Sequence, residues 1–156
     1  MANKIQNFDT GEKDNSNIIH LDLDPKINIE NKIYFKNLLK KIAECSLDNL
    51  EENLENLYHV DAEFNGFHPI NEIKGIEEIK NKYLIPLKKA FPDLERRNNL
   101  VIGGAFRDKV FVSFISHLTG TFTNEWLGVK PTNKTIYLRT CEAHQITNNK
   151  IIKSYT

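Results

Sequence analysis

The sequence predicts an α+β fold, and three observations lead there. Apolar residues recur at spacings of three to five between residues 29 and 57, and again from 76 to 87, as on one helix face. From residue 94 onward the pattern changes to long alternating runs, the period of half-buried strands. The length of 156 residues suits one domain of ordinary size. Helical segments that precede the strands, rather than alternating with them, define the α+β class.

The elements follow in order. Residues 1–28 are polar, carry no helical period and read as a flexible arm ahead of a domain at 29–156. Within that arm, residues 18–23 fit a short edge strand before Pro25. A first helix starts at Ile29, with Ile29, Ile33, Leu38, Ile42 and Cys45 as its apolar stripe. Ser46 N-caps a second piece, Asp48 favours its dipole, and Leu47, Leu50, Leu54 and Leu57 form its stripe. Residues 60–65 alternate as a short strand, which the 66–69 segment ends. His68 precedes Pro69, so its backbone is pushed toward an extended form. Gly75 opens a third helix with Ile76, Ile79, Tyr83 and Leu87 on its apolar face; Pro86 kinks it and Pro92 marks its exit.

Four strands complete the reading. They lie at 94–102 (closed by Gly103 and Gly104), 110–122, 135–146 and from 151, with Thr147, Asn148 and Asn149 as a hairpin turn. Such a meander curls around its helices and leaves a cavity at one end. The chain stops inside the last strand, which fits a strand at a C-terminus and equally a longer parent protein.

Composition removes several function classes. Twenty-one basic and 21 acidic residues give zero net charge, against an electrostatic nucleic-acid binder. No apolar run approaches the ~20 residues of a membrane span, and the first 20 residues hold no signal-peptide core. The chain therefore reads as soluble and cytoplasmic. Cys45 and Cys141 make no disulfide framework and read as small buried hydrophobes. No CxxC or HExxH spacing occurs, so a structural metal site has no support.

A family resemblance becomes specific from Phe67 onward. His68-Pro69 is followed by Gly75, then Ala90-Phe91-Pro92-Asp93-Leu94-Glu95, Gly120-Thr121-Phe122 and Trp126-Leu127-Gly128-Val129-Lys130-Pro131-Thr132. Arg139, Glu142 and Asn149-Lys150-Ile151 complete the series. This order resembles the SnoaL-like polyketide cyclase group of the NTF2-like superfamily, over residues 50 to 156. The resemblance implies a cone: a strongly curved antiparallel sheet closed by N-terminal helices around a deep, mostly apolar pocket. Some members close aromatic polyketide rings by an intramolecular aldol reaction without cofactor or metal; others are isomerases, dehydratases or hydrolases. Members often dimerise through the outer sheet face. No cofactor and no metal are therefore expected, and the expected partners are a small hydrophobic ligand and a second copy of the chain, with no nucleic acid and no membrane.

An aldol cyclase needs a base of suitable pKa beside the carbonyl. Two candidates stand out as catalytic. Glu142 lies within a strand, shares a face with His144, and matches the strand position where the cyclases place an ionisable pocket residue; otherwise Thr140, Glu142 and His144 form a solvated outer face. His117 lies in the long strand, flanked by Ile115 and Leu118, facing either the pocket or the outside. His68, Asn65 and Tyr58 are placed as substrate-binding residues at the cone mouth, with His144 beside Glu142. Trp126 either walls the pocket or closes the base of its own loop. Arg139 faces away from Glu142 and reads as structural. The cyclases usually carry an acid–base Asp after the last strand's aromatic; here Tyr155 holds the aromatic position and Thr156 the Asp position. Threonine accepts no proton near neutral pH. Two functions follow: a cofactor-independent cyclase or isomerase acting on a hydrophobic carbonyl compound, or a non-catalytic ligand-binding or dimeric assembly domain.

Overall fold

The computed structural model describes residues 23–156. Most of the polar arm, and most of the strand expected at 18–23, lie outside the described residues. The first helix, α1 (Pro25–Glu44), begins before Ile29 because Asp24 and Pro25 start it. The Asp24 carboxylate accepts from the Lys26 N–H at 2.7 Å, and proline suits the first helical turn. The buried stripe also differs from the expected one. Phe35, Leu39 and Ile42 are buried, while Ile29 and Ile33 stay 52% and 56% exposed. The helix turns Asn28 and Lys32, rather than the isoleucines, toward Gly103 of the sheet. Asn28 Nδ2 donates to the Gly103 carbonyl at 3.0 Å, and a Cβ at Gly103 would lie 2.2 Å from Asn28 Oδ1. The absent side chain is what lets α1 approach this strand.

A 3-10 turn (Leu47–Asn49) leads into α2 (Leu50–Leu57). Ser46 makes no capping bond to the backbone; its hydroxyl accepts from Asn49 Nδ2 at 3.2 Å instead. Strand β1 (Tyr58–Asn65) starts directly after α2. Strand β2 (Glu72–Lys74) escaped the pattern reading because it is so short, lying between Asn71 and Gly75, both at positive φ. Next comes a helical rod of three parts: α3 (Ile76–Glu78), a π-helical segment (Ile79–Leu84) and α4 (Ile85–Ala90). Pro86 has no N–H for the ladder, and the widened π turns just before it accommodate that loss.

Strands β3 (Glu95–Phe106), β4 (Lys109–Thr121), β5 (Thr135–Thr147) and β6 (Lys150–Tyr155) form the rest of the sheet. Gly103 and Gly104 lie inside β3 and do not end it. The sheet order is β2-β1-β6-β5-β4-β3, curved and unclosed. Every pairing is antiparallel except β1 with β6, which run parallel. Helices cover one face of the sheet. The main core joins Phe35, Leu54 and Ile79 of the helices to Phe64, Val112 and Phe114 of the strands. A smaller cluster packs Leu87 and Phe91 on Leu118 and Phe122. No helix among the described residues is long and apolar enough to cross a membrane.

Candidate functional site

Strand parity assembles the site. Along β5 the burial alternates, so Glu142, His144 and Ile146 face the helices and Arg139 and Cys141 face outward. Register places Phe114 opposite Glu142, and Ser154 opposite His144. On β3, Arg96 and Asn98 share this inner face; a bulge between Asn98 and Leu100 follows. Five strands, β1, β3, β4, β5 and β6, thus deliver polar side chains to one patch of an otherwise apolar concave surface.

The patch is a connected polar network. Arg96 grips Glu142 with two parallel bonds, Nη1 to Oε1 at 2.9 Å and Nη2 to Oε2 at 2.7 Å. Both residues are 6% exposed. Arg96 Nε donates to Asn98 Oδ1 at 2.9 Å and Nη2 also to Ser116 Oγ at 3.0 Å. The guanidinium lies 5.5 Å from the centre of the Phe114 ring. His144 Nε2 is 3.3 Å from Glu142 Oε2, and its Nδ1 is 2.9 Å from Ser154 Oγ. Ser154 Oγ is in turn 3.4 Å from the Tyr58 hydroxyl. Burial alone would raise the Glu142 pKa; the bonds from His144 and Arg96, with the Arg96 charge, override it and hold the carboxyl well below the usual carboxylate range. An ionised carboxylate only accepts, so Nε2 carries the proton that faces it. In the neutral ring Nδ1 then carries the lone pair, which faces the Ser154 hydroxyl. Burial pushes the Tyr58 hydroxyl up to about 12.

This network forms one end of an apolar cavity between helices and sheet. The cavity is narrow, about 50 Å³ in volume. Leu39, Leu57, Leu84 and Leu118 are among its apolar walls, and Tyr58, Arg96, Glu142 and His144 are its polar lining. Tyr83 also lines it, and its hydroxyl has no hydrogen-bond partner among the described residues. Burial raises the Tyr83 pKa, so this hydroxyl stays protonated. Lys88 and Thr156 complete the polar rim. No group of three His, Cys, Asp or Glu able to hold a metal occurs among the described residues.

The predicted site residues separate into two sets. Glu142, His144 and Tyr58 come together at the cavity. His117 does not join them: it pairs in register with Arg139 on the outer face, and its Nδ1 lies 2.7 Å from Asn99 Oδ1. Its neighbours Ser116 and Leu118 take the inner positions, as alternation requires. Asn65 has opposite parity to Phe64, which lines the cavity; its amide donates to the Ser154 carbonyl at 3.2 Å, joining β1 to β6. His68 is exposed, in a loop closed by a cis bond to Pro69. Trp126 packs edge-on to Phe67 and Phe91, which places it in the smaller cluster, closing its own loop. Cys141 is exposed, not buried, because it takes the outward parity beside Glu142. Arg96, Tyr83, Lys88 and Ser154 were not anticipated. The one available signal was parity: Arg96 and Asn98 alternate with Arg97 and Asn99, but only pairing reveals which set faces inward.

The comparisons with known proteins agree with this architecture. The profile of the SnoaL-like polyketide cyclases matches residues 36–155. The chain belongs to the SnoaL-like polyketide cyclase family. No curated protein sequence matches it. Among solved structures, AclR of Streptomyces galilaeus, a candidate hydroxylase, is 20% identical at a TM-score of 0.64, covering 82% of this chain and 74% of its own. A candidate SnoaL-like polyketide cyclase from Jannaschia sp. CCS1 is 17% identical at 0.63, covering 86% and 88%. An NTF2-like superfamily protein from Salmonella enterica is 14% identical at 0.64, covering 83% and 89%. At these identities the SnoaL-like neighbours establish the NTF2-like fold and leave the chemistry to the site itself.

Proposed function

We propose that this SnoaL-like protein binds a small, mostly apolar carbonyl compound in its cavity and removes a proton beside the carbonyl, as a cyclase or isomerase does. The observation that carries this reading is the His144–Glu142 pair, held by Arg96 and placed at the end of an apolar cavity. Glu142 acts as the positioning carboxylate rather than as the base, because Arg96 occupies both its oxygens. His144 is the base, its Nδ1 drawing the proton through the Ser154 hydroxyl from Tyr58, whose hydroxyl lines the cavity. The Tyr83 hydroxyl, protonated and without a partner among the described residues, donates to the enolate oxygen as charge develops there. No part of this chemistry calls on a cofactor.

The test is α-proton exchange of an apolar ketone such as 2-nonanone in D2O, followed by NMR. General-base catalysis contributes roughly 10²–10⁴-fold, so His144→Gln should lower the exchange rate by about that factor while binding changes little. Undiminished exchange in His144→Gln would remove His144 from the role.

A second reading has its own observation. Thr156 lines the cavity where the resemblance expects an acid–base Asp. This supports a non-catalytic ligand-binding domain, in which pocket substitutions change affinity and no rate exists to change. In either case we propose a cytoplasmic homodimer through the outer sheet face, where Leu100, Ile102 and Tyr137 are exposed. Native mass spectrometry checks it; a monomer at micromolar concentration would refute it.

A further inference from the structure

Lys88 belongs to α4, yet its side chain turns inward, is 7% exposed and lines the cavity. Its Nζ donates to the Ala43 carbonyl at 2.8 Å and the Cys45 carbonyl at 2.7 Å, at the C-terminal end of α1. No carboxylate lies within ion-pair distance of Nζ among the described residues. The nearby Glu44 carboxylate is engaged elsewhere, accepting from the Arg96 backbone N–H at 3.2 Å.

Counting donors shows why this matters. An ammonium has three N–H groups, and two carbonyls satisfy only two of them. A neutral amine has two N–H groups and one lone pair, so the same two carbonyls satisfy it completely. The remaining tetrahedral direction then holds the lone pair. Burial lowers the Lys88 pKa; the neighbouring Cys45 thiol, and after it the Glu44 charge, favour the ammonium and are outweighed. Arg96 is a further cation on the same cavity, with Glu142 balancing its charge. A desolvated lysine in an apolar site is the usual setting of an amine that attacks carbonyls.

We propose that Lys88 captures the carbonyl carbon of the cavity's ligand as an imine, an inference that rests on the carbonyl reading above. The Nζ lone pair forms the N–C bond, and the C=O π pair moves to oxygen, which takes a proton. The carbinolamine then loses water: the nitrogen lone pair forms the C=N bond as the C–O bond breaks, and the oxygen leaves with a second proton taken from solvent. With one proton retained on nitrogen the product is an iminium, which keeps a single N–H bond to one of the two carbonyls. The step needs no oxidant or reductant. The iminium acidifies the α-carbon, so an enamine takes the place of the enolate, and His144 on the same cavity is the base that would take that proton.

The test uses the full chain with nonanal and sodium cyanoborohydride at pH 7, then peptide mapping by mass spectrometry. The expected result is one nonyl group on Lys88, formed at least tenfold faster than on the adjacent exposed Lys89, and slowed by excess 1-nonanol, which cannot form an imine. Lys88→Arg keeps donors for the two carbonyls and should fold normally by circular dichroism, with that adduct gone. Equal labelling of Lys88 and Lys89 overturns the proposal. Stoichiometric binding of 1-nonanol with Lys88 unlabelled also overturns it, and leaves the cavity reading standing. Absence of both 1-nonanol binding and Lys88 labelling overturns both readings.

Discussion

Arg96→Met isolates the interaction that organises the site. The substitution keeps most of the side-chain volume and removes every donor facing Glu142. The carboxylate would then sit 6% exposed with only His144 beside it, and Asn98 and Ser116 would each lose a partner. Removing one partner of a buried pair costs about 3–5 kcal/mol, because the remaining charge is stranded. That is a large share of the ~5–15 kcal/mol stability of an ordinary domain. Urea unfolding should show it as a lower midpoint at unchanged slope, and heating as a Tm drop on the order of 10 °C. The pH dependence adds a sign. In the wild type the Glu142 pKa is depressed, so its contribution is present above the normal carboxylate range and lost only as pH falls through the depressed value. In Arg96→Met burial dominates and the pKa rises, so the deficit should shrink as pH falls from 7 toward 4. Pairing Arg96→Met with Glu142→Gln should recover most of the loss, since no charge remains buried. A single-variant cost under about 1 kcal/mol, or a double variant no better than the single, would refute the view that this pair is desolvated and interdependent.

Other outcomes follow from the same geometry. Phe35→Ala empties a fully buried position on α1 and should cost about 3–5 kcal/mol by urea unfolding. Gly103→Ala drives Asn28 away from its bond to the Gly103 carbonyl and should cost about 1 kcal/mol, whereas Gly104→Ala meets nothing within 4 Å and should be neutral or mildly stabilising. Asp93 accepts from both the Thr121 N–H and hydroxyl at 2.7 Å, and these bonds lower its pKa. The stability they provide is present above the normal Asp range and fades as pH drops through the lowered value; Asp93→Asn should flatten that part of the stability–pH curve.

The fold class was legible because periodicity is a local property. The alternation at 110–122 and 135–146 can be read from neighbours alone, and β4 and β5 match it closely. The Glu142–His144 pair was legible for the same reason, since residues two apart on a strand share a face. His117 shows the limit: alternation states that it opposes Ser116 and Leu118, and does not state which side is inside. The stripe on α1 failed similarly. Ile29 and Ile33 satisfy helical spacing, yet the helix turns Asn28 and Lys32 to the sheet because Gly103 leaves room there.

The amino-acid order by itself determined element types, strand parity, the family resemblance and the carboxylate–imidazole pair. Only the tertiary structure decided what those groups meet. Arg96 reaches Glu142 across 46 positions of sequence, and Lys88 reaches the carbonyls at the end of α1 across 43 and 45. Such contacts depend on register, on the bulge after Asn98, and on the seat of α1 against β3. The same contacts set the dielectric and the charge partners of each group, and so hold Glu142 as an anion between Arg96 and His144.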